Sequence, residues 1–580
     1  MKGYFKYIRP HILFFIFGPI FMITEVIGEV LMPRLLSLII DSGIITGNMS
    51  GDSAYIIKIG ISMVCVALMM MLGGVLGNYF AVRASVGFAS DLRADLFRHV
   101  QTFSFKNIDG FSTGSLITRL TNDIIQMQNV IRMSLVMLLR APGMLIGALI
   151  MAITINARLA IVIAVVIPIL ASAIAIIMTK AFPRFNIMQK KLDKLNSDIQ
   201  ENLTNVRVVK SFVRTDYEKQ KFSKSNTDLR DNTLRAMNLV IKNGPVMTLM
   251  MNITTIAVLW FGGNFVASGS MNVGELTAFT TYIVQILMSL MMVSMIILQA
   301  SRALASSGRI KEVLSTVSDI SDKDAKEKSK TMTHGKVEFR NVYFGYNSHS
   351  ANNVLEDISF VANPGECVGI IGATGSGKTS LVQLIARLYD VTDGEVLIDD
   401  VDVRDYSLYN LREGVGMVLQ KNTLFSGTID ENLRWGKEDA TDEEIELAAS
   451  NAQAHGFVTS FTDGYNTELG QGGVNVSGGQ KQRLCIARAL IKKPKILVLD
   501  DSTSAVDTAT ESRIRDSFSN DLKNTTKIII AQRISSVKDA DRIVVIDDGK
   551  IVGCGTHTEL LASNDHYREI YYSQHDKEAV

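Results

Sequence analysis

The chain has 580 residues, 47% of them hydrophobic, with 59 basic against 58 acidic side chains and a formal net charge of +1. Such a length predicts several domains, and charge this near zero excludes a nucleic-acid binder driven by bulk electrostatics. Long apolar blocks fill the first half, whereas short apolar runs alternate with charged stretches in the second. A membrane part followed by a soluble part is the direct reading. The four cysteines, Cys65, Cys367, Cys485 and Cys554, form no Cys-x-x-Cys pair. Their spacing suits neither zinc nor a disulfide framework, and small buried residues in a reducing compartment are expected.

"MKGYFKYIRP" lacks a small-residue cleavage site and reads as an amphipathic lead-in rather than a cleaved signal. Six apolar stretches follow, at 12–40, 55–82, 132–155, 159–180, 244–267 and 276–300. A helix crosses a bilayer with roughly 20 such residues. The connections sort by charge. Lys2, Lys6 and Arg9 precede the first span, Arg83, Arg93, Arg98 and Lys106 follow the second, and Lys190, Lys191, Lys194, Arg207 and Lys210 separate the fourth from the fifth. "ASGSMNVGE", between the fifth and sixth, has neither lysine nor arginine. The positive-inside rule therefore predicts a multi-pass protein of the cell membrane with both termini cytoplasmic.

Residues 83–131 and 181–243 are too long for turns and keep helical periodicity, with Leu92, Leu96 and Val100 on one stripe. The spans are expected to run on into the cytoplasm and turn back well below the bilayer, with a short cross-helix around 105–116 near "NIDGFSTGS". Glu25 and Glu29 lie one helical turn apart inside the first span. Intramembrane acids are costly, which marks the pair for cation recognition, against the plainer reading that they meet water at one membrane surface. Met288, Met291, Met292 and Met295 cluster in the sixth span, as an adaptable substrate surface or as ordinary helix packing. The predicted domains are a membrane domain over 1–305, a Ser-, Lys- and Asp-rich linker over 306–335 and a nucleotide-binding domain over 336–575.

In the last of these, "ECVGIIGATGSGKTS" sets Gly372-Ala-Thr374-Gly375-Ser376-Gly377-Lys378-Thr379 after an apolar strand and before a helical pattern that begins at Ser380. This G-x-x-x-x-G-K-[ST] loop wraps phosphate with backbone N–H groups. Lys378 then reaches the terminal phosphates of ATP, and the Thr379 hydroxyl meets Mg²⁺. Asp500 closes the apolar strand "KILVLD" and is the second magnesium anchor.

Between these motifs stands "VNVSGGQKQRLCIARAL", with Ser477-Gly478-Gly479-Gln480. With "RLTNDI" (119–124) and "NVRVVKSF" (205–212), it makes nearly the whole chain resemble an ATP-binding cassette (ABC) exporter of the half-transporter type. That resemblance implies an all-α six-helix transmembrane domain of the type I exporter fold followed by an α/β P-loop domain. It also implies that Tyr346 stacks on adenine, that Gln420 touches magnesium and senses the membrane domain, and that Asp507 crosses to a partner cassette. Glu468 meets the cytoplasmic loops, although Gln471 stands where many exporters have a second acid. Two cassettes close head to tail, each ATP lying between the phosphate-binding motifs of one chain and the Ser477–Gln480 segment of the other.

The chain departs from the family pattern twice. Asp501 replaces the usual glutamate, and Gln532 replaces the usual histidine. One methylene fewer withdraws the carboxylate by roughly 1.5 Å. Glutamine has no titratable ring. The signature itself is whole, with only Val476 before it differing from the usual leucine. The pattern resembles one subunit of bacterial heterodimeric multidrug exporters, with this chain carrying the degenerate ATP site. The implied partner is a second half-transporter with glutamate and histidine at these places, and the cargo is small amphipathic compounds. Alternatives are a flippase of lipids or lipid-linked compounds, a homodimer with two weak but active sites, and a non-transporting ATP sensor.

Overall fold

Apolar spans continued by polar sequence of helical periodicity give helices far longer than a bilayer is thick. The computed structural model describes residues 2–45, 53–323, 325–346 and 353–575. They fall into two units, Met1–Gln101 with Gly114–Ser315, and Thr102–Thr113 with Thr316–Val580. Among the described residues, six helices of the first unit are long and apolar enough to cross a membrane. They are built from α1 (Ile12–Leu38), α2 (Ser53–Val100), the run from α4 (Thr113–Thr118) through α5 (Ile124–Met137) to α6 (Arg140–Ile155), α7 (Ala157–Thr204), the pair α9 (Thr215–Ile241) and α10 (Asn243–Ala267), and α11 (Val273–Ser315). A π-helical stretch at Ile39–Ile45 prolongs α1, and the short α8 (Val206–Ser211) joins α7 to α9.

The 48 residues of α2 and the 48 of α7 each span about 72 Å at ~1.5 Å per residue. That is more than twice a hydrocarbon core of about 30 Å, so the polar ends of both helices extend beyond it. Leu92 and Leu96 of the expected stripe are fully buried. Polar ties lock α11 to the rest of this unit. The Tyr282 hydroxyl donates to Val30 O at 2.8 Å, and Gln285 Nε2 donates to Glu29 O at 2.9 Å. "RLTNDI" forms a π-helical turn whose Arg119 pairs with Glu312 at 2.9 Å, while Asp123 accepts from Arg309 Nε at 2.8 Å. α11 runs to Ser315, past 305, so the first part of the expected linker is helical.

The second unit contains α3 (Phe105–Gly110), capped by Ser104 and Asn107 bonded reciprocally through side chain and backbone at 3.2 Å. The helix expected over 105–116 is thus divided. Phe111 is extended and α4 begins afresh at Thr113, because Gly110-Phe111-Ser112 offers no continuous helical register. Inside its own unit, α3 lies on the nucleotide domain: the Tyr389 hydroxyl donates to Asp109 Oδ2 at 2.5 Å, and Lys106 pairs with Asp319 at 3.8 Å. The chain after Ser315 is laid down rather than loose. Four consecutive backbone N–H groups, from Thr333 to Lys336, donate to the Asp399 carboxylate.

Three β-sheets follow. β1 (Val337–Phe344), β2 (Leu355–Ala362), β4 (Asp393–Ile398) and β5 (Val401–Asp402) form an antiparallel sheet in the order β2-β1-β4-β5. β3 (Cys367–Gly372), β6 (Val415–Val418), β9 (Ile496–Asp500), β10 (Thr526–Ile530), β11 (Arg542–Asp547) and β12 (Lys550–Gly555) form the main sheet, ordered β12-β11-β3-β10-β9-β6 and parallel except for β12. The two-residue strands β7 (Gly427–Thr428) and β8 (Glu468–Leu469) pair separately.

Every residue of β9 is buried. Ile496 and Val498 join Val368, Ile370 and Ile528 in one core, whereas Leu497 and Leu499 join Ile371, Ile529 and Ile543 in the other. A strand covered on both faces is what a continuous apolar run in a parallel sheet requires. Because β3, β10 and β9 are neighbours, Ile370, Ile530 and Asp500 stand side by side at their carboxyl ends, where open α/β sheets place ligands. The cysteines depart from expectation. Only Cys485 is buried, while Cys65 and Cys554 are exposed and none is in a disulfide.

Candidate functional site

The chain leaves β3 through Gly372, where a Cβ would lie 2.0 Å from the Ile546 carbonyl oxygen, too close for any side chain. Gly377 closes the loop at φ +95°, a left-handed conformation that glycine adopts without strain, and α12 (Lys378–Ile385) starts immediately after it. Loop N–H groups and helix N-terminus together make an anion cradle. Lys378, nearly buried, donates to Gly372 O at 3.0 Å and to Ala373 O at 2.7 Å. Burial pulls its pKa down, opposed by the charges of Asp500 and Asp501.

At the end of β9, Asp500 is 1% exposed and its Oδ1 accepts from the Thr379 hydroxyl at 3.1 Å. Its Oδ2 is buried and has no hydrogen-bond partner. Burial raises its pKa, Thr379 counters this, and the Asp501 charge adds to the rise. An orphan carboxylate oxygen beside a hydroxyl oxygen fits magnesium, which takes hard oxygen ligands. Asp500 and Thr379 would hold the ion, which when bound neutralises charge on the phosphate oxygens. Gln420 lies beside this pair: its backbone N–H faces Asp500, and its side chain is exposed.

Asp501 adopts φ +49°, in the left-handed region. Its backbone N–H donates to Ile530 O at 3.1 Å, pinning it beside the loop that leaves β10. On that loop, Gln532 Nε2 donates to Asp501 Oδ2 at 2.8 Å. The two residues that depart from the family pattern are therefore bonded to each other. Burial raises the Asp501 pKa, against the lowering effects of Lys378, Arg533 and the Gln532 hydrogen bond.

Tyr346 is 40% exposed, which leaves its ring face available for stacking. Its hydroxyl is 2.8 Å from Ser380 Oγ, and its ring meets Tyr389 edge-on at 5.2 Å and 88°. Tyr346, Tyr389 and Thr392 line a cavity of about 300 Å³ that Lys106 and Asp319 also reach. Tyr389, Asp109 and Lys106 escaped the sequence reading as site residues, because a lone aromatic in "IARLYD" and a short helix distant in sequence carry no motif.

Ser477 and Gln480 form a capping box at the start of α13 (Gly478–Ile491). Behind them, Gln482 Oε1 accepts from Ala505 N at 3.0 Å, and Asp507 caps α14 (Thr508–Asp521). The structure thus brings Lys378, Thr379, Asp500, Asp501 and Gln532 together. Among the described residues, no hydrogen bond ties Ser477–Gln480 to that group.

In the membrane unit, Arg140 Nη2 lies 3.2 Å from Glu25 Oε1 and 3.0 Å from Glu29 Oε1. Glu25 Oε2, Glu29 Oε2 and Gln285 Oε1 are buried without hydrogen-bond partners. Met291 and Met292 pack on the apolar core of this unit and Met288 is 48% exposed. The Met295 side chain lies outside the described residues.

Residues 15–290 match the ABC transporter transmembrane region family, and residues 355–504 match the ABC transporter family. The chain is 40% identical over 578 residues to the uncharacterized ABC transporter ATP-binding protein YfiB of Bacillus subtilis, covering 100% of this chain and 99% of that one. It is 32% identical to a second B. subtilis protein, named "Putative multidrug export ATP-binding/permease protein YgaD", over 99% of each. The structure of a bacterial Atm1-family ABC exporter with ATP bound superimposes with a TM-score of 0.82 at 24% identity, over 98% of each chain.

The orphan oxygen at Asp500 has a measurable consequence. A carboxylate whose pKa is raised by folding contributes stability below its ordinary value of 3.8 and loses it as pH rises through the native value. At neutral pH, in buffer containing a magnesium chelator, Asp500→Asn therefore raises the thermal unfolding midpoint of the full-length chain, or at least does not lower it. The same substitution abolishes the further rise that magnesium and ATP give the unsubstituted protein. Parallel pH series by differential scanning fluorimetry check both signs.

Proposed function

The chain belongs to the ATP-binding cassette exporters, as a half-transporter with one membrane domain and one ATPase cassette, and from that membership we propose that its own ATP site retains nucleotide while a partner's site hydrolyses it. ATP hydrolysis drives transport in this family. The finer reading is a subunit of a heterodimeric exporter of amphipathic, cationic compounds. Its partner supplies a glutamate and a histidine and completes its own site with Ser477–Gln480 of this chain.

One observation carries the proposal: the Gln532 amide donates to the Asp501 carboxylate at 2.8 Å. Hydrolysis needs a water oxygen to bond to the γ-phosphorus as the bond to the ADP oxygen breaks, with the water's proton passing to a base. Asp501 is one methylene short of the usual base, and one of its two oxygens accepts from Gln532. A misplacement of ~1 Å costs on the order of 100-fold in rate, or about 2.7 kcal/mol of barrier. Gln532 donates without a titratable ring, so it moves no proton. The phosphate cradle and the Asp500–Thr379 pair are intact beside this defect, which favours binding without efficient cleavage.

The cargo reading rests on Arg140 between Glu25 and Glu29. Two carboxylates share one guanidinium, leaving one formal negative charge, with one buried oxygen of each acid and the Arg140 Nε unpaired. A half-buried, unbalanced acid cluster in a membrane domain is costly unless something cationic meets it. This favours a protonated amine over a neutral or anionic lipid.

Two measurements test these readings. The full-length chain purified alone is expected to turn over ATP slowly, and Asp501→Glu combined with Gln532→His to raise that rate by about 10-fold or more. Brisk magnesium-dependent hydrolysis by the unsubstituted chain alone would contradict the heterodimer. In vesicles containing the complete transporter, Glu29→Gln should slow uptake of a lipophilic cation by ~10-fold, the scale of one charge-assisted hydrogen bond. Transport of a neutral amphipath should be unchanged, and equal loss for both would remove the case for cation recognition.

A further inference from the structure

Gln574 stands on α15 (Asp565–His575), outside every motif that carries the ATP chemistry. One short loop uses both ends of its side-chain amide: Nε2 donates to Gln532 O at 2.8 Å, and Oε1 accepts from Ile534 N at 2.9 Å. These two backbone groups flank Arg533, just where the chain leaves β10 and enters a 3₁₀ turn at Ile534–Ser536. A glutamine near the surface ordinarily spends its amide on water. Fixing a long side chain by both ends on groups two residues apart costs its rotamer freedom and specifies the loop's conformation.

The helix that presents Gln574 is itself anchored. Tyr567 is fully buried, its hydroxyl lies 2.7 Å from His557 Nδ1, and its N–H donates to Asn564 Oδ1 at 2.8 Å. Ile570 and Tyr571 pack on the apolar core of the cassette. Two anchored elements therefore meet at the ATP site. The sheet holds Asp501 through its N–H to Ile530 O, and α15 holds the backbone of Gln532, whose side chain spans the gap to Asp501.

We propose that Gln574 is a positioning residue for the ATP site: by bracketing the loop after β10, it holds the Gln532 amide on Asp501 and so sets how long nucleotide stays bound. The inference rests on the reading of this site as one that retains ATP. It extends the site's control to the last helix of the chain. Gln574 touches neither nucleotide nor the reacting atoms and acts only through Gln532.

The test uses the full-length chain in lipid nanodiscs, loaded with magnesium and radiolabelled ATP and chased with unlabelled ATP. Gln574→Ala should speed release of label by about 3- to 10-fold, the effect of losing one or two hydrogen bonds. Gln574→Glu still accepts from Ile534 N–H but cannot donate to Gln532 O, so it should speed release similarly while keeping the unfolding midpoint near that of the unsubstituted chain. The decisive comparison is made in a Gln532→Ala background, where Gln574→Ala should add nothing further, since coupled residues are not additive. A purely structural role predicts the same acceleration with or without the Gln532 side chain, and that result overturns the inference, as does release unaffected by Gln574→Ala. Failure of the retention reading registers separately, as rapid hydrolysis by the unsubstituted chain, and leaves the Gln574–Gln532 comparison intact.

Discussion

Two adjacent carboxylates at the end of a strand buried on both faces impose the constraint on which the cassette depends. β9 has no solvent-facing side, so Asp500 at its end is buried with Asp501 half-buried beside it, and the charge of Asp500 must be met by fixed groups. Those groups come from three neighbouring strand ends. Lys378 and Thr379 follow β3, the Gln420 N–H follows β6, and Gln532 follows β10. Asp501 uses Gln532 on one oxygen, whereas Asp500 keeps one oxygen unpaired. The first arrangement ties the acid down; the second leaves a ligand position open to a metal. On the proposed reading, binding and cleavage are separated within two consecutive residues.

Much of this was legible in the sequence, for physical reasons that differ along the chain. The phosphate loop is readable because glycine is required where a Cβ would strike Ile546 O, so the spacing itself encodes the geometry. β9 is readable because burial on two faces demands an unbroken apolar run. The six spans follow from the bilayer's thickness, and the long cytoplasmic helices from Leu92 and Leu96 repeating at helical spacing. What escaped was contact between residues distant in sequence. The Gln532–Asp501 bond, the seat of α3 on Tyr389, and the double use of Gln574 all depend on tertiary neighbours that no local period records. Two cysteines escaped because exposed positions take small residues as readily as a core does: Cys65 on the apolar helix α2, and Cys554 on β12, the strand at the end of the main sheet.

The membrane unit shows the same economy of charge. Arg140 answers two glutamates at once, and the arginine and aspartate of "RLTNDI" find their partners on α11 rather than nearby in sequence. In each case a charged residue on one helix is met from another, so helix packing is specified by electrostatics as well as by apolar fit. Among the described residues of this unit, the cluster around Arg140 is the one left with unpaired buried oxygens, which is why it bears the proposal about cargo.

The central claim is that the acid held by Gln532 leaves bound ATP uncut. The nucleotide retained by this chain after the transporter has cycled tests it most directly. Vesicles containing the complete transporter would be fed α-labelled ATP through many turnovers, stripped of free nucleotide, acid-quenched and separated by chromatography. The account predicts intact ATP in near-equal number to this chain. Labelled ADP in its place, recovered in the same amount from a complex whose partner lacks its catalytic glutamate, would contradict it.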